Sequence, residues 1–166
     1  MMAVLTLIMK EIMNRNQIIT ELKKFFCIEE LVCKTTYAKF GNLSWQFLDT
    51  EALHTLLVVR QNILKVVCTI NNWHIGGPIT QRGLRCNLCQ LVIDKTKVGK
   101  IYLSAHCNGA GFDLIPKGMS AEQARELIEA NKQLLPYPIR LENAVTWLHF
   151  DTYDLGNGNI INHFNS

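Results

Sequence analysis

The sequence has no tract of basic residues interleaved with aromatic side chains, and its formal net charge is only +3 over 166 residues. Proteins that bind nucleic acids usually concentrate lysine and arginine on one face or along one segment. This absence argues against a nucleic-acid partner. The mild positive charge remains compatible with approach to an anionic polymer such as a cell wall.

Long apolar runs are also missing. The apolar stretch over residues 1–9 is too short to span a bilayer, which takes about 20 residues. It has no basic leader, and Lys10 and Glu11 follow it in place of a small-residue cleavage site. We therefore expect no membrane span and no signal peptide. We predict that residues 1–16 form an apolar arm or helix that packs on the domain or on a partner.

Internal repeats and low-complexity linkers are absent too, which argues against a solenoid or an array of domains. The length suits one domain with a substantial core. We predict that this domain covers residues 17–155 and that residues 156–166 form an irregular, flexible tail. Helical and strand patterns are interspersed along the chain, so the predicted fold class is α+β, with a small, mostly antiparallel sheet and helices packed on it.

Six cysteines are present, but their spacing is irregular and a chain of this length does not need a disulfide scaffold. Cys86 and Cys89 form a Cys-x-x-Cys pair, the spacing of zinc ribbons and redox sites, and no second pair matches it. Because the pair falls in a predicted helix over residues 84–93, we interpret the cysteines as buried free thiols. A second metal site or a redox site stays open as an alternative.

The spacing of apolar residues predicts the main elements of the domain. Helices are predicted over residues 17–26, 49–62 and 120–134, a strand over residues 65–70, and a hairpin over residues 139–151. Asp49 and Ser120 are favourable N-cap residues for the second and third of these helices.

Two short segments contain residue types that bind metals. His106 and Asp113 lie in the first, separated by small residues that suit a turn, and His149 lies in the second, within an apolar run. Strand alternation allows two neighbouring strands to present Asp113 and His149 to one cleft. Two histidines and one carboxylate are a ligand set of catalytic zinc sites. A single histidine in an apolar strand is more often a hydrogen-bonded core residue, so the residues alone leave both interpretations open.

The order Ser-x-His-x-x-Gly-x-x-x-Asp followed by Trp-x-His-x-Asp resembles the zinc D-Ala-D-Ala carboxypeptidase family, whose fold is shared with the Hedgehog signalling domain and with phage cell-wall peptidases. The resemblance extends over about residues 17–151. It implies that His106, Asp113 and His149 bind one catalytic Zn²⁺. It also implies a peptidoglycan peptidase that acts on stem peptides, either as a carboxypeptidase or as an endopeptidase.

A second part of the resemblance lies upstream of the metal segments. Residues 83–85 resemble the Gly-Tyr-Arg segment of the family, whose arginine contacts substrate, so Arg85 is expected to orient the substrate. Residues 71–77 and 81–85 are most similar to a phage and Bacteroidetes-type branch, which implies a phage or prophage origin.

The polar loop lies between the strand predicted over residues 65–70 and the helix predicted over residues 84–93, and it is the expected place for substrate contacts. We predict substrate-binding roles for His74, Gln81, Arg82 and Ser104, with a solvated loop as the alternative for the first three. Arginine can hold a carboxylate with two hydrogen bonds, which suits a peptide with a free C-terminus or a D-Glu side chain.

The sequence departs from the family at one catalytic position. Active members have an Asp or Glu three residues before the last histidine as general base, and this chain has Thr146, whose hydroxyl does not titrate near neutral pH. Glu142, one strand-length earlier, is the predicted substitute. Asp151 either supports a zinc ligand from behind or lies on the surface. The departure also supports an alternative, a catalytically impaired binding protein or virion structural protein with the same fold.

The expected partners are peptidoglycan stem peptides and, under the alternative, other virion proteins. Because no signal peptide is expected, the predicted place of synthesis is the host cytoplasm. The predicted place of action is the cell wall or periplasm, reached through a holin-type lysis system or a virion.

Overall fold

The computed structural model describes residues 13–165, and within them the chain has an α+β fold with six α-helices and a five-stranded mixed sheet. The helices are α1 (Arg15–Leu22), α2 (Ile28–Leu31), α3 (Lys34–Phe40), α4 (Thr50–Val58), α5 (Gln90–Lys97) and α6 (Ala121–Ala130). The strands are β1 (Cys68–Thr69), β2 (Gly111–Pro116), β3 (Ile139–Glu142), β4 (Leu148–Asp151) and β5 (Ile161–Phe164). The predicted N-terminal arm lies almost entirely outside the described residues.

The helix starts follow from local capping. The Asp49 side chain accepts a hydrogen bond from the backbone of Ala52 at the start of α4, and Ser120 forms a capping box with Gln123 at the start of α6. Each cap satisfies backbone N–H groups that the first turn leaves free, which stabilises a helix by about 1 kcal/mol. The predicted helix starts at Asp49 and Ser120 are therefore confirmed.

The sheet has the strand order β1-β2-β4-β3-β5. Three of the pairings are antiparallel, and β3 and β4 form the predicted hairpin. The fourth pairing, between β3 and β5, is parallel, so the sheet is mixed. The expectation of an irregular tail is wrong for Ile161–Phe164. These residues pair with the free edge of β3, whose backbone groups would otherwise lack partners, and Ile161 packs on the core.

Two local predictions were wrong around the polar loop. The helix predicted over residues 84–93 begins only at Gln90, because the backbone of Leu84 pairs with Leu31 and Cys33 and is not free for a helical turn. The strand predicted over residues 65–70 is reduced to Cys68–Thr69.

The sheet separates the core from the candidate site. On one face, Phe112, Leu114, Leu148 and Phe150 are fully buried in the main hydrophobic core, and α6 packs on β2 and β4. The intervening residues of both strands point to the other face, which carries the polar side chains. Within residues 13–165, no helix combines the length and apolar character needed to cross a bilayer.

Candidate metal centre

The antiparallel register of β2 and β4 places Asp113 directly opposite His149. Residues opposite each other on neighbouring strands have side chains on the same face and in contact. The third residue, His106, is carried by a short 3-10 turn, Ala105–Asn108, and the chain then reverses at Gly109. Gly109 has a φ of +66°, and an added Cβ would lie 2.2 Å from the Phe47 carbonyl oxygen, so only glycine fits this turn.

The three side chains converge. His149 Nδ1 lies 2.7 Å and His106 Nε2 lies 3.3 Å from Asp113 Oδ1, and one donor atom from each residue lies within 4.8 Å of the other two. All three residues are buried, with exposed fractions of 3–5%. Two imidazole nitrogens and one carboxylate oxygen in this arrangement could hold a metal ion.

Each histidine uses its other ring nitrogen in a hydrogen bond. His106 Nδ1 donates to the Gly83 carbonyl oxygen at 2.9 Å, and His149 Nε2 donates to Asp151 Oδ2 at 3.1 Å. These bonds leave His106 Nε2 and His149 Nδ1 facing Asp113. Histidines that bind metals almost always donate their second N–H to a carbonyl or carboxylate, because this fixes the tautomer and the ring orientation.

Two arginines donate hydrogen bonds to the carboxylates of Asp151 and Asp113. Arg140 donates from Nε and Nη2 to the two oxygens of Asp151, both at 2.8 Å. Arg85 Nη2 donates to Asp113 Oδ2 at 3.2 Å, and its Nη1 donates to the Tyr102 hydroxyl at 3.2 Å. The outer oxygen of Asp113 is therefore occupied by Arg85, and its inner oxygen faces the histidines.

The proximity of these groups shifts their pKa values. Burial raises the pKa of the Asp113 carboxyl, but its contacts with His106 and His149 outweigh burial and lower this pKa below its usual range. Burial lowers the pKa of His149, but hydrogen bonds to Asp113 and Asp151 raise it to about 9. Burial dominates at His106 and lowers its pKa. Without a metal, the ionised Asp113 therefore contacts both a neutral His106 and a protonated His149, and a bound metal would replace the His149 proton.

The centre opens into a cavity of about 310 Å³. Its lining includes the three converging residues. It also includes four residues for which the sequence analysis proposes a role at the site, namely Arg85, Ser104, Glu142 and Asp151. The Ser104 hydroxyl also accepts a hydrogen bond from the His106 backbone at 3.3 Å, which ties the cavity wall to one of the candidate ligands.

Glu142 lies at the end of β3, on the face of the sheet that carries the centre. Arg140 of β3 pairs with Asp151, and Leu141 pairs with Phe150. Extending this register by one residue places Glu142 opposite His149. Its side chain is buried and lines the cavity, whereas Thr146 is exposed and does not belong to the lining. Of these two residues, only the glutamate can reach a substrate bound at the centre.

The other predicted substrate-binding residues lie outside this lining. His74 is exposed on a short 3-10 turn, with its Nε2 3.6 Å from Cys27 Sγ. The Gln81 side chain accepts a hydrogen bond from the Leu91 backbone at 3.1 Å. The Arg82 guanidinium stacks on the Trp147 ring at 4.7 Å. Gln81 and Arg82 hold the loop together, and nothing in their placement supports direct contact with a substrate in this cavity.

Sequence reasoning gave no role to several lining residues. Tyr102, Arg140, Trp147 and Phe164 all border the cavity. The register of the hairpin could have identified Arg140, because it places the arginine opposite Asp151. Phe164, whose ring lies 5.6 Å from that of His149, belongs to β5, which the sequence pattern did not reveal.

A second group of side chains with metal-binding potential consists of Cys33, Cys86 and Cys89. Cys33 and Cys89 each precede a helix directly, and Cys86 lies in the turn before Cys89.

Searches against known protein families, curated proteins and solved structures found no match to this chain.

Proposed function

We propose that this protein is a zinc-dependent peptidase of the D-Ala-D-Ala carboxypeptidase type, which hydrolyses amide bonds in peptidoglycan stem peptides. The convergence of His106, Asp113 and His149 beside a cavity is the observation that carries the proposal. The substrate class rests on the resemblance of the two metal segments to that family. A phage or prophage origin and action at the cell wall belong to the same proposal.

The donor set supports zinc over the other common divalent ions. Imidazole is a favoured ligand of zinc, whereas magnesium and calcium select sites built from oxygen atoms. The hydrogen bonds at the outer ring nitrogens of His106 and His149 give both rings the orientation that a metal ligand needs. The open cavity leaves room for water and substrate at the remaining coordination position.

Zinc in this position would supply a hydroxide nucleophile near neutral pH and would polarise the substrate carbonyl. Glu142 is the proposed general base and acid. Its carboxylate accepts a proton from the attacking water and returns it to the amine nitrogen of the leaving group, as geometry next to His149 allows. Burial of the glutamate keeps this proton transfer away from bulk water.

Arg85 has a double role in this proposal. It holds the outer oxygen of Asp113, and it lines the cavity, where its guanidinium can also attract a substrate carboxylate. Ser104, which borders the cavity, offers a hydroxyl to the substrate backbone. Both residues belong to the wall that fixes the position of the scissile bond.

The test is hydrolysis of purified peptidoglycan fragments, followed by mass spectrometry, with the parent protein and a His149→Ala variant. His54→Gln serves as the matched control, because His54 lies outside the cavity lining. We expect cleavage by the parent and the control, loss of cleavage after chelation, recovery with added Zn²⁺, and no cleavage by His149→Ala. Equal cleavage by the parent and His149→Ala would refute the proposed centre.

The exposed Thr146 at the usual base position favours a second candidate function, a peptidase fold that binds peptidoglycan or a virion protein without cleaving it. The two functions differ in one observable result. The binding protein would be favoured if zinc binds at the histidine centre (His106, Asp113 and His149) but no stem peptide is cleaved. The parent protein should then also be retained on insoluble peptidoglycan.

A further inference from the structure

Three cysteine side chains, those of Cys33, Cys86 and Cys89, meet at one point. Cys33 Sγ lies 3.5 Å from Cys86 Sγ, and Cys86 Sγ lies 4.0 Å from Cys89 Sγ. All three sulfur atoms lie within 4.8 Å of one another. Cys33 and Cys89 are buried and Cys86 is partly buried, and all three are free thiols.

The sulfur spacing agrees with a zinc–thiolate centre. Zinc–sulfur bonds of about 2.3 Å in a tetrahedron place the sulfur atoms about 3.8 Å apart, and the Cys33–Cys86 and Cys86–Cys89 Sγ–Sγ distances lie on either side of that value. A disulfide would join only two of these thiols and leave the third without a role. We propose that Cys33, Cys86 and Cys89 bind a structural Zn²⁺, separate from the metal of the histidine centre.

The local backbone fits this site. Cys86 and Cys89 form a tight turn in which the Cys89 backbone N–H donates to the Cys86 carbonyl oxygen at 3.0 Å, and this turn brings the two side chains of the Cys-x-x-Cys pair to the same side. Cys33 immediately precedes α3, and the hydroxyl of Thr36 lies 3.1 Å from its sulfur. This hydroxyl can donate a hydrogen bond to a metal-bound thiolate, in the way that outer hydrogen bonds support metal ligands.

A further sulfur borders the cluster. Cys107 and Tyr102 pack against Cys33 and Cys89, and among the described residues no histidine or carboxylate joins the three sulfur atoms within ligand distance. Soft thiolate ligands in such surroundings select zinc over magnesium or calcium. Structural zinc sites of the Cys₃His and Cys₄ types take three or four of their four ligands from cysteine, and this cluster would supply three.

The cluster lies at a junction between the helical part of the chain and the loop that supports the histidine centre. The backbone of Leu84 pairs with Leu31 and Cys33. In the same loop, the Gly83 carbonyl accepts from His106, and Arg85 holds Asp113. Zinc between Cys33 and the Cys-x-x-Cys pair would therefore fix the loop that orients the histidine centre.

The experiment uses the full-length protein loaded with Zn²⁺, or with Co²⁺ as a spectroscopic probe. The parent is compared with a Cys86→Ser/Cys89→Ser double variant, with His149→Ala, and with Cys27→Ser as the control for an exposed thiol. X-ray absorption measures zinc–sulfur distances, and visible spectroscopy measures sulfur-to-cobalt charge transfer.

We expect zinc–sulfur distances of about 2.3 Å in the parent, the control and His149→Ala, and their loss in the double variant. His149→Ala should lose cleavage while it keeps the sulfur-bound metal, so the failure of one site is distinguishable from the failure of the other. A parent protein without sulfur-bound zinc, or a double variant that retains it, would overturn the inference.

A second measurement does not depend on the folding of the double variant. The native parent is alkylated with and without excess Zn²⁺, and the modified cysteines are identified by mass spectrometry. Zinc should protect the partly buried Cys86 and leave the exposed Cys27 reactive. Equal labelling of Cys86 under both conditions would contradict the site.

Discussion

The histidine centre and the cysteine cluster differ in how the chain builds them. The first takes two of its three residues from directly paired strands and opens into a cavity of about 310 Å³. The second takes its residues from a turn and from two positions just before helices, and its sulfur atoms contact one another. An open position is typical of catalytic metal sites, and a closed set of ligands is typical of structural ones.

The two clusters also differ in their supporting contacts. At the histidine centre, the outer ring nitrogens of both histidines and both flanking carboxylates have their own hydrogen-bond partners. At the cysteine cluster, the partners of the thiols are chiefly other thiols and one threonine hydroxyl. We infer that the first is built to hold a reactive geometry, whereas the second is built to hold two parts of the chain together.

The largest effect is expected from Asp113→Asn, which should disrupt the histidine centre and leave the cysteine cluster intact. The change removes a ligand and leaves the buried Arg85 guanidinium without its carboxylate, so the free energy of unfolding should fall by about 3–5 kcal/mol. Cleavage should fall to background, and sulfur-bound zinc should remain. Urea unfolding and metal analysis measure both effects, with the exposed Asp94→Asn as control. Retention of both metals and of activity would show that the centre is not catalytic.

Glu142→Gln should have the next largest effect, and it tests the chemistry of the centre without removing a ligand. We expect kcat to fall about 10²–10⁴-fold, because the amide cannot transfer the proton. Zinc content and the midpoint of thermal unfolding should stay at the parent values. Glu126→Gln, on the exposed side of α6, is the matched control. If Glu142→Gln cleaves stem peptides as fast as the parent, another group is the base.

Asp151→Asn tests whether the hydrogen bonds around the histidine centre support that site alone. The amide loses the charge that stabilises His149 and releases Arg140, so the affinity for zinc at the histidine centre should fall about 10–100-fold. Competition with a chromophoric chelator measures the change. The cysteine cluster should keep its affinity, because Asp151 does not contact it. A loss of affinity at both sites would indicate a general loss of structure.

The smallest effect is expected from Thr146→Glu, which introduces the residue type that active zinc D-Ala-D-Ala carboxypeptidases have at the corresponding position. Because Thr146 is exposed and lies outside the cavity lining, the new carboxylate should not raise the rate of stem-peptide hydrolysis. An increase of more than about tenfold would mean that a side chain at position 146 reaches the cavity, and that Glu142 is an incomplete substitute.

Residue patterns predicted the two segments of the histidine centre, but the family resemblance was needed to join them, because Asp113 and His149 lie 36 residues apart. Alternation of apolar and polar residues in two short strands places Asp113 and His149 on the polar face, and the glycines between His106 and Asp113 mark the turn. The predicted hairpin also carries Glu142 to the same face. These features depend on periodicity and turn chemistry, which sequence patterns record directly.

The cysteine cluster, strand β5 and the position of Arg85 could not be predicted, because they depend on contacts between residues far apart in the sequence. Cys33 reaches Cys86 across 53 residues, so the Cys-x-x-Cys pair alone could not identify its third partner. Strand β5 forms because β3 offers a free edge, and a short segment after Gly and Asn residues gives little pattern of its own. Arg85 was predicted to contact substrate, and its hydrogen bond to Asp113 became visible only in the folded chain.

The most direct test of the central claim is anomalous X-ray diffraction at the zinc edge from crystals of the full-length protein grown with Zn²⁺. The account predicts one peak bounded by His106, Asp113 and His149, next to the Glu142 carboxylate, and a separate peak among the cysteine sulfurs. Absence of zinc from the histidine centre at saturating Zn²⁺, with the protein folded, would contradict the assignment of that centre as the catalytic site.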